Sequence, residues 1–304
     1  MAVDEAEAPM PKFIEVPIPK DTGPRGCYFC GSTPLTKEHI LPNWINKIVG
    51  HDPGATNELT QKVRRAEGGL ENQSRFLATP FLRQTVKAVC ANCNNGWMST
   101  LEQRVQQTLM HLSMNGETAL DAGTAFQFAR WAIKTSMMRG IWENRDMDVF
   151  PKENRTQLAG GNEIPEGWSV FIGATETAHL MTANWSYKWF LTETGEDETL
   201  AALQGTVRLF QLLVITCYVA PEEDAKDVRD SMGESPELQQ VWPLRDVPIF
   251  PSKHIISEPE AQGYTELFRG IFDRDGALTG GYLKFDEEAV DGGGGEGPSV
   301  HDDE

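Results

Sequence analysis

The chain of 304 residues has no apolar run long enough to cross a bilayer. The longest, Leu209 to Ala220, is broken by Gln211 and falls short of the ~20 residues a helical span needs. The opening MAVDEAEAPM has neither the basic cluster nor the apolar stretch of a secretory leader. Cysteine is scarce: there are five, and four of them form two CxxC pairs. That pattern in a chain without an export signal argues against a disulfide scaffold and for a metal site. Cations are in deficit, 27 Lys and Arg against 45 Asp and Glu, for a net charge of −18. A surface that is anionic overall repels phosphate. These absences lead us to expect a soluble, cytoplasmic protein with no membrane contact.

The missing cations are not missing everywhere. Residues 1–150 carry 16 basic and 16 acidic side chains, whereas residues 151–304 carry 11 and 29. Residues 20–100 hold 10 basic against 6 acidic. The stretch with both CxxC pairs is therefore mildly cationic, and Lys62, Arg64, Arg65, Arg75 and Arg83 supply much of that charge.

With 39% hydrophobic residues the chain can bury a core. Four parts are expected: an arm over 1–25 with an extended piece at 13–18, a Cys-bearing unit over 26–115, an acidic α+β domain over 116–287, and a disordered Gly-rich acidic tail over 288–304. Pro42 near a helix start predicts a helix over about 41–49. Residues 84–89 alternate as a short strand. Leu101, Val105, Leu109 and Leu112 recur at helical spacing and predict a helix over 94–113. A second helix is expected over about 123–142. β-branched and aromatic residues predict strands at 168–173, 184–192 and 207–219, the last apolar on both faces and therefore central and covered. Short helices are expected at 236–242 and 262–272, and an extended stretch at 247–256.

The informative stretch runs from Cys27 to Glu102. The pairs Cys27/Cys30 and Cys90/Cys93 offer four thiolates, which suits a closed, structural zinc. Cys217 lies in an apolar strand and reads as a small buried hydrophobe. Zinc binding would draw together the strand bearing Glu38–His39 and the helix starting at Asn94. A carboxylate, an imidazole and an amide brought to one place suit metal-assisted phosphodiester hydrolysis, in which a neutral His takes a proton from water.

The order CxxC, EHIxP, CxxCNNGW…LE resembles the HNH endonucleases of the ββα-metal finger class, in the branch with two zinc-binding CxxC pairs. The resemblance covers about residues 27–105. It implies His39 as general base, Asn94 as ligand of a catalytic Mg²⁺ or Mn²⁺ where the motif's last His usually stands, and Cys27, Cys30, Cys90 and Cys93 as zinc ligands. Glu38 stands where many members have a metal-ligating Asp. The motif's middle Asn, which positions the loop behind the His, is not in its usual place, where Gln84 and Thr85 stand. Glu102 would be a support or a salt-bridge partner. The fold class implied is α+β: a small zinc-stapled ββα-metal finger domain, a helical segment, then an α+β domain containing an antiparallel sheet. The partner implied is nucleic acid, with DNA favoured, and the acidic half is a candidate protein-binding surface. A second reading stays open: a zinc-stabilised binding module without catalysis.

Overall fold

A computed structural model describes residues 13–14, 26–45, 58–64, 70–76, 84–143, 150–191 and 198–268; for 13–14, 58–64, 70–76, 181, 183–191 and 198–200 it describes the backbone. The expected tail over 288–304 and most of the arm over 1–25 lie outside these residues, as do Arg65 and Arg83. Among the described residues, no helix is long and apolar enough to cross a membrane.

The fold mixes helices with antiparallel sheets. Strand β1 (Phe13–Ile14) belongs to the arm. Strand β2 (Leu35–His39) carries the acid–His pair. Strands β3 (Glu58–Arg64) and β4 (Leu70–Phe76) pair with each other in a ribbon of their own. Strand β5 (Thr85–Cys90) returns antiparallel to β2. The helix expected over 41–49 is helical at 43–45; residues 46–49 lie outside the described set.

After β5 comes one helical turn, Ala91–Cys93, then a π-wound segment, Asn94–Met98, then helix α1 (Ser99–Ser113). The helix expected from Asn94 thus winds regularly only from Ser99, because Gly96 sits at φ −91°, ψ −109°, outside the helical region. π-wound turns recur at functional sites. Helix α1 stops at Asn115, whose φ of 59° is a left-handed value that Asn tolerates. Strand β6 (Thr118–Ala119) and helix α2 (Ala122–Glu143) follow. Asp121 caps α2, its Oδ1 accepting from Thr124 N at 2.7 Å. Helix α3 (Lys152–Gly160) ends at Gly161, whose φ of 83° suits glycine.

Two long strands, β7 (Trp168–Leu191) and β8 (Glu198–Ala220), form the centre of the remaining chain. They pair antiparallel along nearly their full length, with one irregularity between Ala174 and His179. The strands expected at 168–173 and 184–192 are therefore one strand interrupted by a bulge. Helix α4 (Glu222–Gly233) follows Pro221 with three acids in its first turn, where the helix dipole favours them. Strand β9 (Gln239–Trp242) pairs with β7, strand β10 (Ile249–Phe250) pairs with β6, and helix α5 (Glu258–Thr265) opens on a Ser257/Glu260 capping box.

Two corrections follow. Residues 236–242 are not a helix: 239–242 join the open edge of β7, where their backbone groups find ladder partners. Strand β8 is covered on both faces, as expected, but it is not central. Among the described residues it hydrogen-bonds only to β7, and β7 is the strand with neighbours on both sides. Helices, not strands, bury it. Leu212, Val214 and Tyr218 join a core shared with α1 and α2, whereas Leu213, Ile215, Cys217 and Val219 join a second core under α4 and α5. The α2 backbone side approaches β8 closely at Gly205, where a Cβ would collide with Ser136 Oγ. The first core runs without a break from Cys27 and Phe29 through Leu109 and Trp131 to Val214 and Phe250. Residues on both sides of the expected boundary at 115/116 therefore share one apolar interior.

Candidate metal centre and active site

The first cysteine pair sits in a tight loop. Gly31 N donates to Cys27 O at 2.7 Å and Cys27 N donates to Ser32 O at 2.8 Å. Gly31 has φ 76°, which a side chain would strain, so glycine just past the second Cys is what lets the loop close. The loop is fastened to β5 through Tyr28 N and Ala88 O at 2.8 Å. Phe29 packs edge-on to Trp97, with ring centroids 5.0 Å apart, and Arg155 of α3 stands 4.2 Å from the Tyr28 ring centroid.

The second pair spans the end of β5 and the first helical turn. Cys90 is the N-cap residue of that turn, but its side chain makes no capping bond. Its Sγ lies 3.5 Å from Cys30 Sγ, and Cys93 Sγ lies 3.6 Å from the same atom. All four sulfurs lie within 4.8 Å of one another. Four thiolates ~2.3 Å from one tetrahedral ion stand ~3.8 Å apart, far wider than a ~2 Å disulfide bond. The spacing therefore fits a four-cysteine metal site. Burial pushes the Cys27 and Cys93 thiols up, so each resists ionising in the absence of a cation. The exposed Cys30 is held down to about 6, first by the Ser32 hydroxyl.

Strand β2 presents the acid–His pair to opposite sides. Glu38 is buried, 6% exposed, while His39 and Lys37 lie on the outer side. A register shift between Thr36 and Lys37 bends the strand just before them. Asn94 reaches this bend. Its Nδ2 donates to Lys37 O at 3.0 Å and to Thr36 Oγ1 at 3.1 Å, and Thr36 Oγ1 donates to Val89 O at 3.0 Å. Asn94 is thus brought beside the strand two residues from His39, with its Nδ2 engaged and its Oδ1 the atom suited to a cation.

Glu38, expected beside Asn94 as a second cation ligand, turns into the core instead. Its Oε1 accepts from Lys134 Nζ of α2 at 3.3 Å, and the same ammonium donates to Glu102 Oε1 of α1 at 2.7 Å. Lys134 is fully buried. Burial alone would push its ammonium down, but the carboxylates of Glu102 and Glu38 more than offset this and hold it up. Burial holds the Glu38 carboxyl above its usual range despite Lys134. One lysine thus joins the His39 strand, the helix that follows Asn94, and the central helix. Lys134 was legible as a charge interrupting the apolar pattern of α2 between Trp131 and Met138, but its partners were not.

Gln84, just before β5, is tied on both its backbone and its side chain. Its backbone carbonyl accepts from Ile40 N at 3.1 Å, directly behind His39, and its Oε1 accepts from Arg139 Nη1 of α2 at 3.1 Å. Thr85 faces His39 in the ladder. Cys217 is buried in the second core, its Sγ 3.5 Å from Met232 Sδ and remote in the fold from the four clustered thiols. Compared with family models, with curated proteins and with solved structures, the chain matches none.

Proposed function

We propose that the chain is a metal-dependent HNH-type endonuclease that hydrolyses phosphodiester bonds of nucleic acid. The observation that carries this reading is the four-cysteine cluster joining the β2–β5 pair to the turn that bears Asn94, with His39 at the end of β2. The clustered thiols would hold a structural Zn²⁺, a four-cysteine site that leaves no open position for chemistry. His39, on the outer side of β2, takes the proton from the attacking water. Asn94 Oδ1 would hold a Mg²⁺ or Mn²⁺, whose chemistry when bound is to polarise the phosphate and stabilise the leaving oxygen. Glu38 acts here as a positioning residue: its carboxylate, tied to Lys134, pins the strand on which His39 sits. Gln84 and Thr85 hold the turn after His39 in the same way.

The test is plasmid cleavage by wild type and His39→Ala across Mg²⁺, Mn²⁺ and EDTA. We expect metal-dependent nicking by wild type, leaving a 3′-hydroxyl, and a loss of roughly 10²- to 10⁴-fold in His39→Ala with zinc content unchanged. The engagement of Glu38 by Lys134 favours a second reading, a zinc-stabilised binding module without catalysis. Zinc-loaded wild type that fails to cut in any metal would replace the nuclease with that module.

A further inference from the structure

The two strands at the proposed site hold few charges, and their register sorts them. Strand β2 brings Lys37, Glu38 and His39, and β5 brings Lys87. Thr36 stands opposite Val89, but Lys37 stands opposite Lys87, so Ala88 is an extra residue on β5. Ala88 is buried, and its carbonyl accepts from Tyr28 N at 2.8 Å. In an unbroken ladder Lys87 would face Glu38. The bulge instead sets Lys87 against Lys37, and Glu38 against the buried Val86.

Alternation then separates the two sides. On the inner side Glu38 is held by Lys134. On the outer side Lys37 and Lys87 are both exposed, and the next ladder pair along that side is His39 and Thr85. Neither strand places a carboxylate there, and among the described residues no ion pair joins either lysine to one. Like charges directly opposite each other on an antiparallel pair destabilise it. The chain has 45 acidic side chains against 27 basic ones, yet none of the described acids offsets this pair. Lys37 is also fixed at its backbone, where its carbonyl accepts from Asn94 Nδ2 at 3.0 Å.

We propose that Lys37 and Lys87 form a phosphate clamp, two ammoniums that seat one backbone phosphate of the nucleic acid beside the phosphate at His39. This rests on the nucleic-acid reading above and names residues through which that site holds its substrate. Lysine binds phosphate as a point charge. An anion between the two ammoniums offsets the repulsion that the free ladder pair carries. The Thr85 hydroxyl adds a donor type on the same side. Two residues along a strand rise ~7 Å, the axial span of about two nucleotides of one strand. A phosphate at the lysines and one at His39 therefore belong to the same short stretch of backbone. Contacts of this kind set the position of the substrate without reading its sequence.

The experiment uses the zinc-loaded full chain with His39→Ala, so that cleavage plays no part in the readout, and a 30-base-pair DNA duplex as the probe. Lys37→Gln, Lys87→Gln and the double variant are compared with Lys226→Gln, which removes an exposed lysine of α4. We expect each single change at the clamp to weaken binding roughly three- to tenfold, and the salt slope of binding to fall by about two in the double variant. Lys226→Gln should weaken binding less than about twofold. The thermal midpoint of the double variant should hold or rise, because the change removes a repulsion. A midpoint that falls, an unchanged salt slope, or a loss no larger than that of Lys226→Gln overturns the clamp. Absence of any duplex binding overturns it too. Binding that depends on the two lysines, in a protein whose wild type cuts nothing in Mg²⁺ or Mn²⁺, removes the nuclease reading and leaves the clamp standing.

Discussion

Two regions of the molecule are held together by different means. Around β2 and β5 the segments are short, and the residues that close them are four thiols, one asparagine and one lysine. Around β7 and β8 the strands run 24 and 23 residues, and helices cover both faces of β8 over 201–219 with apolar side chains. Short segments bury too little apolar surface to offset their loss of conformational entropy, a part that a four-cysteine metal site and a buried charge network can take. The long ribbon keeps a buried charge, Arg208, paired with Glu258 of α5 at 2.8 Å. Cysteine makes the contrast sharp: four cysteines cluster in the first region, and Cys217 serves as plain packing in the second.

Removing the metal should separate the regions most. Cys90→Ser or strong chelation is expected to abolish binding of one zinc ion per chain, worth on the order of 10 kcal/mol in small zinc units. Hydrogen exchange should then show β2 and β5 unprotected while β7 and β8 stay protected. Loss of protection throughout would mean that the shared apolar core makes both regions one cooperative unit.

Lys134→Met comes next. It leaves Glu38 buried without its counter-charge, a loss of about 3–5 kcal/mol by denaturant unfolding. The sign with pH follows from the carboxyl. Burial already raises Glu38 in the folded state, and losing the ammonium raises it further. Above the unfolded value of ~4.3 the folded variant then holds protons that the unfolded chain has released, and its stability falls as pH rises through the folded value. The deficit against wild type should be larger at pH 8 than at pH 5. Adding Glu38→Gln should recover part of it. A pH-independent deficit would show that lost packing, not charge, is the cause.

Leu213→Ala, in the core under α4 and α5, should cost about 2–5 kcal/mol and leave zinc content unchanged. A drop in zinc content would break the comparison, because the second core would then support the metal centre. The smallest effect is expected at Ser257→Ala, which removes one half of the α5 capping box for about 1 kcal/mol. Thermal unfolding should register it with no change in any metal-dependent property.

How much of this was legible beforehand differs by element. The helical repeat of Leu101, Val105, Leu109 and Leu112 placed α1, and those four residues are buried. The paired CxxC spacing placed four sulfurs around one point, because a two-residue gap lets one turn present both thiols. The stretch over 51–83 had no readable period, and it holds the β3–β4 ribbon. Helix α4 went unread although Pro221 followed by Glu222, Glu223 and Asp224 is a helix-start signal. Glu38 read as a ligand because it stands where the resembled family has a metal-ligating Asp, but alternation along β2 sends it and His39 to opposite sides.

The sequence by itself determined the local periodicities, the cysteine pairs and the mixed helix-and-sheet class, since these rest on neighbours within a few residues. Only the tertiary structure decided that Lys134 meets Glu38 across 96 positions and that Gln84 stands behind His39. It alone decided that β8, an edge strand among the described residues, is buried by helices, and that one apolar core crosses residue 115. Each of these depends on which distant segment fills a given space. Spacing and propensity along the chain carry no information about that, and close packing around a buried charge or an open sheet edge does.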